Sequence, residues 1–519
     1  MIGKPTGGGD TGTVFRCTMA IMDGNHRIDW HARARALQPR AGVFIDGSFR
    51  PAASGATFDC ISPIDGRLIA RVAAGDAVDV DAAVASGRAA FARGDWSRLA
   101  PKERKRVLLR FAETIRAHQE ELALTETLDM GKPISDSLAV DVPSTANCIQ
   151  WFAEAVDKLY DEIAPTGPSA LALVTREPLG VIGAVVPWNF PMIMAAWKLG
   201  PILAAGNSVV LKPSEKSPLT ALRLAELAVE CGLPPGAFNV VPGFGHTAGK
   251  ALALHGDVDG IGFTGSTATG KLIMGYAAQS NLKRVSLECG GKSPNIVMGD
   301  YHDVERVARA AAYAIFFNQG EMCSAGSRLV VHESIKDAVL EQVARVGREL
   351  APGDPLDAAT KLGAIVDAQQ LQKVLGYIDI GRQDGAHLAL GGSQVRRDSG
   401  GCYVEPTVFD GVTRSMRIAR EEIFGPVLAT ITFRDEAEAI AIANDTSYGL
   451  AAAVWTRDLA TAHRMARAIR AGMVYVNCYD ADDITVPFGG FGQSGMGRDK
   501  SLHAFDKFTE LKTTWIDLT

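Results

Sequence analysis

The chain has 519 residues, 47% of them hydrophobic, and a formal net charge of −6, which gives length enough for two or three domains. Acidic and basic residues are mixed throughout, so there is no footprint for nucleic acid or a lipid surface. Eight cysteines stand without a short C-x-x-C pair and no apolar run reaches membrane-spanning length; a disulfide framework, a zinc site and a membrane span are excluded, and a reducing, cytoplasmic setting is expected.

Residues 1–42 read as an N-terminal extension, partly disordered. "MIGKPTGGGDTGTVFRCTMAIM" is Gly/Thr-rich and broken by Arg16, so it is neither a signal h-region nor core, and translation is expected to start at Met19 or Met22. "VFIDGSFR" is a strand and turn. Helical patterns then run from Asp81 to Asp157, and "KERKRVLLRFAETIRAHQEELALTETLDMG" ends on Gly131, a C-cap glycine. Between Leu179 and Glu288, "GVIGAVVPW", "GNSVVLKP", "AFNVVPG", "VDGIGFTGS" and "KRVSLE" read as buried strands, with helices between some of them. That alternation predicts a doubly wound parallel sheet of dinucleotide-binding type. A second α/β domain follows: "PNIVM", a helix over Val304–Phe317, "RLVVH", a helix over Glu333–Glu349, then "VLATITF", "AAAVWT" and "GMVYVN".

Several motifs sit at strand ends. "GFTGSTATG" brings glycines to a strand-to-helix turn, where backbone N–H groups can approach a pyrophosphate. "LKPSEKSP" offers Lys212 and Glu215 to ribose hydroxyls, and a carboxylate there repels a 2′-phosphate, favouring NAD over NADP. "VPWNFP" supplies Asn189 as an oxyanion donor. "LECGGKSPN" supplies Glu288 as a general base, and "EEIFGPV" a carboxylate and a ring for a nicotinamide ribose. Each alone is more often an ordinary turn or loop salt bridge. "FFNQGEMCSAGSR" adds Cys323, a nucleophile with no histidine near it in sequence.

These stretches, with "PFGGFGQSGMGRD", occur in the order and spacing of the NAD(P)-dependent aldehyde dehydrogenase superfamily, which the chain resembles from about Val43 to its C-terminus. The resemblance implies a Rossmann-like NAD-binding domain over 43–157 and 177–289, and a catalytic domain over 290–496. A small β oligomerisation arm would take 158–176 and 497–519, pairing strands across the subunits of a homodimer or homotetramer. Cys323 is the implied nucleophile, Asn189 with the Cys323 N–H the oxyanion hole, and Glu288 the base for the deacylating water; its presence favours water over coenzyme A as acceptor. The cofactor residues implied are Val186, Trp188, Lys212, Glu215, Gly245, Gly249, Phe263, Gly265, Ser266, Glu422 and Phe424. The thiol is expected to have its pKa lowered by backbone donors and the oxidised nicotinamide. Cys289, Met322 and Ser324 depart mildly from the family pattern.

"ARGDWS", "VPWNFPMIMAAWKLGP", "AAVWTRDLATAHRM" and "GRDKSLHAFDKFTELKTTWIDL" resemble the gamma-glutamyl-gamma-aminobutyraldehyde and omega-aminoaldehyde dehydrogenases of putrescine breakdown. A matching acidic mouth is expected from Asp480, Asp482 and Asp483 before Phe488, with Asp141 on a bordering helix. Phe190, Trp197 and Phe488 would sleeve the substrate's methylenes with cation–π capacity, beside Met322. The alternative is a broad-specificity aliphatic aldehyde dehydrogenase, the aspartates being solvated loop charges.

Overall fold

The computed structural model describes residues 28–519; the expected start at Met19 or Met22 lies outside them. The first helix, Trp30–Ala36, is N-capped by Asp29 and tethered by buried Trp30. It falls inside the stretch assigned from sequence to an extension, because about two turns are too few to show a periodicity. Two strands, Thr57–Ile61 and Leu68–Ala73, form an antiparallel pair that the sequence reading passed over. The long helical stretch divides at His118 into Pro101–Ala117 and Gln119–Met130. The second piece ends on Gly131 at φ 89, a left-handed cap that costs glycine little.

The first large sheet has eight strands, with a parallel centre in the order Phe238–Val240, Ser208–Lys212, Val181–Val185, Gly260–Thr264, Arg284–Glu288. All five residues of Val181–Val185, Ser208–Lys212 and Gly260–Thr264 are buried, as continuous apolar strands covered on both faces must be. The order reverses between Val181–Val185 and Gly260–Thr264, and a crevice opens outside their carboxyl ends, where such sheets take ligands. The second sheet has seven strands, parallel except for His387–Leu390 at one edge.

The tail strand Thr509–Asp517 pairs antiparallel along its whole length with Ala170–Pro178, which also pairs with Glu162–Ala164. The two segments expected to reach across subunits therefore pair with each other within one chain. Asn207 Nδ2 donates to Phe508 O at 2.9 Å, fastening the start of this tail beside the first sheet. Gly495–Met496 joins the first sheet beside Arg284–Glu288, so the chain returns to that sheet before the tail strand begins.

Candidate active site

One cavity of about 1430 Å³ lies at the carboxyl ends of the first sheet and reaches across to the second domain. Its wall brings together Cys323, Glu288 and Asn189 with Val186, Trp188, Lys212, Glu215, Gly245, Phe263, Gly265, Ser266, Glu422 and Phe424. Phe190, Trp197, Met322, Asp482, Asp483 and Phe488 line the same cavity. Two expected residues stand outside its wall. Gly249 lies behind Lys212: a Cβ there would sit 3.8 Å from the lysine side chain. Asp141 is fully buried, accepting from Lys132 Nζ at 2.5 Å beside Glu126, so its charge is spent inside the protein. A π-helical turn over Ser137–Asp141 shifts the phase of the helix, and Val140 and Ser144 face the cavity instead.

Cys323 is delivered by a strained turn. Asn318, Gln319 and Gly320 follow the helix Val304–Phe316 with φ of 49, 58 and 71, all left-handed. A Cβ on Gly320 would lie 2.3 Å from the Gly425 main chain, so glycine is what lets the "NQG" and "FGP" turns meet. Asn318 Nδ2 donates to the carbonyls of Asn189 and Glu321, both at 3.1 Å. Asn189 Nδ2 itself donates to Glu321 O at 2.8 Å, so the amide is bound to the chain two residues before Cys323. Sequence reasoning missed Asn318; its adjacency to the nucleophile turn was the available signal.

Glu288, the last residue of Arg284–Glu288, is buried, and its Oε1 has no partner among the described residues. Burial and the Asp499 charge raise its carboxyl to about 8, while Lys198, Lys507 and Arg498 pull the other way. Both lysines clamp Asp499: Lys198 Nζ donates to one carboxylate oxygen and Lys507 Nζ to the other, all three residues being buried. This clamp was absent from the sequence reading, because Lys198 comes to Asp499 and Lys507 from a remote part of the chain. The Cys323 thiol is pushed well above its usual value by burial and then by Glu288, Glu422 and Asp480; the Ser324 N–H pulls weakly down. Of the expected lowering, the protein's own groups supply only the Ser324 N–H, which burial and the carboxylates outweigh; the part assigned to the oxidised nicotinamide rests on the bound cofactor.

The crevice fits a dinucleotide. Thr264 Oγ1 is buried in its wall without a partner among the described residues, an orphan facing the space a ligand would fill. Lys212 reaches Glu215 at 3.3 Å, and Ser266 caps the helix Thr267–Gln279, accepting from Thr269 N at 3.2 Å. Glu422 accepts from Gly291 N at 3.2 Å, its approach permitted by Gly290, whose Cβ would strike the carboxylate at 2.2 Å. Phe424, at φ 61, has its carbonyl held by Gln370 Nε2 at 2.6 Å and its ring edge-on to Trp188 at 5.2 Å.

At the mouth, Asp480 accepts from Ser324 Oγ at 3.2 Å, and burial and Asp482 raise its carboxyl to about 6. Asp482 is ion-paired with Lys500. Asp483 accepts from Thr485 Oγ1 and N at 2.6 and 2.8 Å, and these bonds hold its carboxyl below the usual range. Trp197 and Phe488 lie 5.2 Å apart, with Lys500 Nζ 5.5 and 5.7 Å from their centroids. Lys132 Nζ stands 4.1 Å over Phe190. The cation–π capacity expected for a substrate is therefore already used by two of the protein's own lysines.

Comparison with known proteins is consistent across sequence and structure. The family model described as "Aldehyde dehydrogenase family" matches residues 49–514. The chain is 51% identical over 498 residues to the NADP/NAD-dependent aldehyde dehydrogenase PuuC of Escherichia coli, covering 96% of this chain and 100% of that protein. It is similar to the crystal structure of an indole-3-acetaldehyde dehydrogenase complexed with NAD+, with a TM-score of 0.94, 62% identity, and 94% and 99% of the two chains covered. The gamma-glutamyl-gamma-aminobutyraldehyde dehydrogenase of Burkholderia cenocepacia superposes with a TM-score of 0.93 at 61% identity, over 95% and 99% of the chains.

Proposed function

The chain belongs to the aldehyde dehydrogenase family, and from that premise we propose that it oxidises an omega-aminoaldehyde of polyamine catabolism to its carboxylate, with water as acyl acceptor. Cys323 Sγ, its thiol proton passed to solvent, adds to the aldehyde carbon, and the oxygen takes up negative charge facing the free N–H of the Asn189 amide and the Cys323 main-chain N–H. Bound NAD supplies the hydride acceptor that lets the thiohemiacetal become a thioester. Glu288 then takes a proton from water, the hydroxide adds to the thioester carbonyl, and the Cys323 thiolate leaves with the acid released. Lys212 and Glu215 would hold the adenosine ribose, Ser266 and its helix N-terminus the pyrophosphate, and Glu422 and Phe424 the nicotinamide ribose. The Glu215 carboxylate favours NAD over NADP.

The observation that carries the substrate class is that Asp480, Asp482 and Asp483 line the same cavity as Cys323. Carboxylates at a low-dielectric mouth concentrate cationic substrates. The similarity to a gamma-glutamyl-gamma-aminobutyraldehyde dehydrogenase supports the same class. Broad aliphatic specificity is the second reading, favoured by the lysines that already cover Phe190, Trp197 and Phe488. NADH formation by the purified enzyme, compared across guanidinobutyraldehyde, gamma-glutamyl-aminobutyraldehyde and hexanal with Cys323→Ala as blank, separates the two. Charged aldehydes ahead by about tenfold in kcat/KM support the first reading; equal use of hexanal supports the second.

Assembly as a homodimer or homotetramer is part of the proposal, supported by Leu511, Trp515 and Ile516, which are exposed along the tail strand. So is a cytoplasmic location, consistent with seven free cysteines among the described residues. No helix among them is long and apolar enough to cross a membrane.

A further inference from the structure

We propose that Lys500 is the carboxylate-reading group of the substrate mouth, so that the preferred aldehydes carry two opposite charges at their far end. The ammonium would go to Asp482 and Asp483, and the carboxylate to Lys500. This rests on the aminoaldehyde reading and sharpens it.

The Lys500 side chain is fully buried, whereas its partner Asp482 is 60% exposed, so the pair is a buried cation facing outward through an accessible anion. Lys500 lines the cavity and stands over the Trp197 and Phe488 rings. Among the described residues it donates only to Asp482, which leaves two of its three N–H groups without an acceptor. Its backbone is strained: Lys500 has φ 61 and Ser501 φ 50, left-handed values that a lysine and a serine adopt at a cost. The strain is held by the mouth itself. Phe488 and Asp499 exchange main-chain hydrogen bonds of 2.8 and 2.7 Å, and Ser501 N donates to Ile484 O at 2.8 Å. Lys500 is thus pinned from both sides to the segment that carries Asp482 and Asp483.

This geometry ranks head groups. A simple cation meets an Asp482 that is already neutralised, and it brings its charge towards Lys500. A neutral chain offers nothing to either group. A zwitterionic head exchanges with both partners at once, its carboxylate taking the free Lys500 donors and its ammonium taking Asp482. Charge-assisted contacts of this kind are the strong ones, and a missing partner leaves a buried charge uncompensated.

The test measures KM and kcat for gamma-glutamyl-aminobutyraldehyde (zwitterionic), guanidinobutyraldehyde (cationic) and hexanal (neutral) in wild type, Lys500→Met and Lys500→Arg. Met keeps the unbranched stem, one atom shorter, and its packing on the rings. The readout is the KM of each charged substrate relative to hexanal within one variant, which cancels any general loss. The expected result for Lys500→Met is a relative KM about tenfold higher for the zwitterion and lower for the cation. Its kcat for the zwitterion should stay within about twofold, and Lys500→Arg should restore the wild-type ratio. Equal factors on all three substrates would make Lys500 a packing residue and overturn the proposal, as would no change. Failure of the aminoaldehyde reading shows separately, as a wild type that prefers hexanal to both charged aldehydes.

Discussion

At the floor of the cavity, Cys323, Asn189 and Glu288 are set in place by main-chain geometry, whereas at the mouth Asp480, Asp482 and Asp483 are governed by side-chain partners. The floor depends on three left-handed residues, on amide bonds to carbonyls and on a strand end. The mouth depends on Ser324, Lys500 and Thr485. Chemistry that must be placed to fractions of an ångström rests on backbone, which has few soft degrees of freedom. Selectivity rests on side-chain pairs at the mouth that can be exchanged for a ligand, as where the fully buried Lys500 meets the half-exposed Asp482.

Substitutions sharpen the contrast, beginning with the largest effect. Cys323→Ala should abolish NADH formation, a loss on the order of 10⁶-fold in kcat by analogy with removing other catalytic nucleophiles. Glu288→Gln should cost roughly 10²–10⁴-fold in steady-state turnover. It should leave a single-turnover burst of NADH, since only hydrolysis of the thioester needs the base; absence of the burst would move Glu288 to the first half of the reaction. Because burial raises Glu288 to about 8, wild-type hydrolysis should rise with pH through that value. The sign for folding is opposite. The group is neutral in the folded protein and ionises near 4.5 when unfolded, so its contribution to stability falls between about 4.5 and 8. The melting temperature of Glu288→Gln should accordingly gain on wild type across that window.

Asn189→Ala should lower kcat by roughly 10²–10³-fold with less effect on KM, as for other oxyanion donors. Gly320→Ala tests the backbone rule without touching a reacting group. With φ 71 and a Cβ 2.3 Å from Gly425, it should lose about 1–3 kcal/mol or more in a denaturant titration and most of its activity. Normal kinetics for that variant would show that the floor tolerates a shifted turn. Asp482→Asn should be the mildest in activity, leaving kcat within about twofold and acting on KM for charged aldehydes; because it takes the anion from the fully buried Lys500, it should cost about 1–3 kcal/mol in a denaturant titration.

The same division decided what was legible in the sequence. Parallel strands such as Val181–Val185 and Gly260–Thr264 are continuous apolar runs, and the motifs after them lie where a doubly wound sheet places ligands, so the cofactor half could be read directly. Cys323, Asn189 and Glu288 stand in short local motifs, so they could be singled out as candidates, and they line one cavity. Asp141 was misread because a π-helical turn changes which face of its helix looks into the cavity, and no composition rule reports that phase. Lys500 and the Lys198–Asp499–Lys507 clamp were invisible because loop geometry, not a periodic pattern, brings Lys500 to Asp482, and Lys198 reaches Asp499 from a remote segment. The thiol's upward shift was missed because it comes first from burial and then from carboxylates that separate segments bring to the sulfur, neither of which a local motif reports.

The tail carries a practical consequence. Lys507 grips Asp499 beneath Glu288, Phe508 O is bound by Asn207, and Thr509–Asp517 completes the arm, all in one short run. A protease nick after Phe505, or a bulky affinity tag levering the last strand away, would take Lys507 from Asp499 and leave that aspartate less compensated. Glu288 would then hold its proton more tightly, and turnover at neutral pH would drop. Purification handles therefore belong at the other end of the chain, and loss of specific activity on storage should first be checked against the mass of the C-terminus.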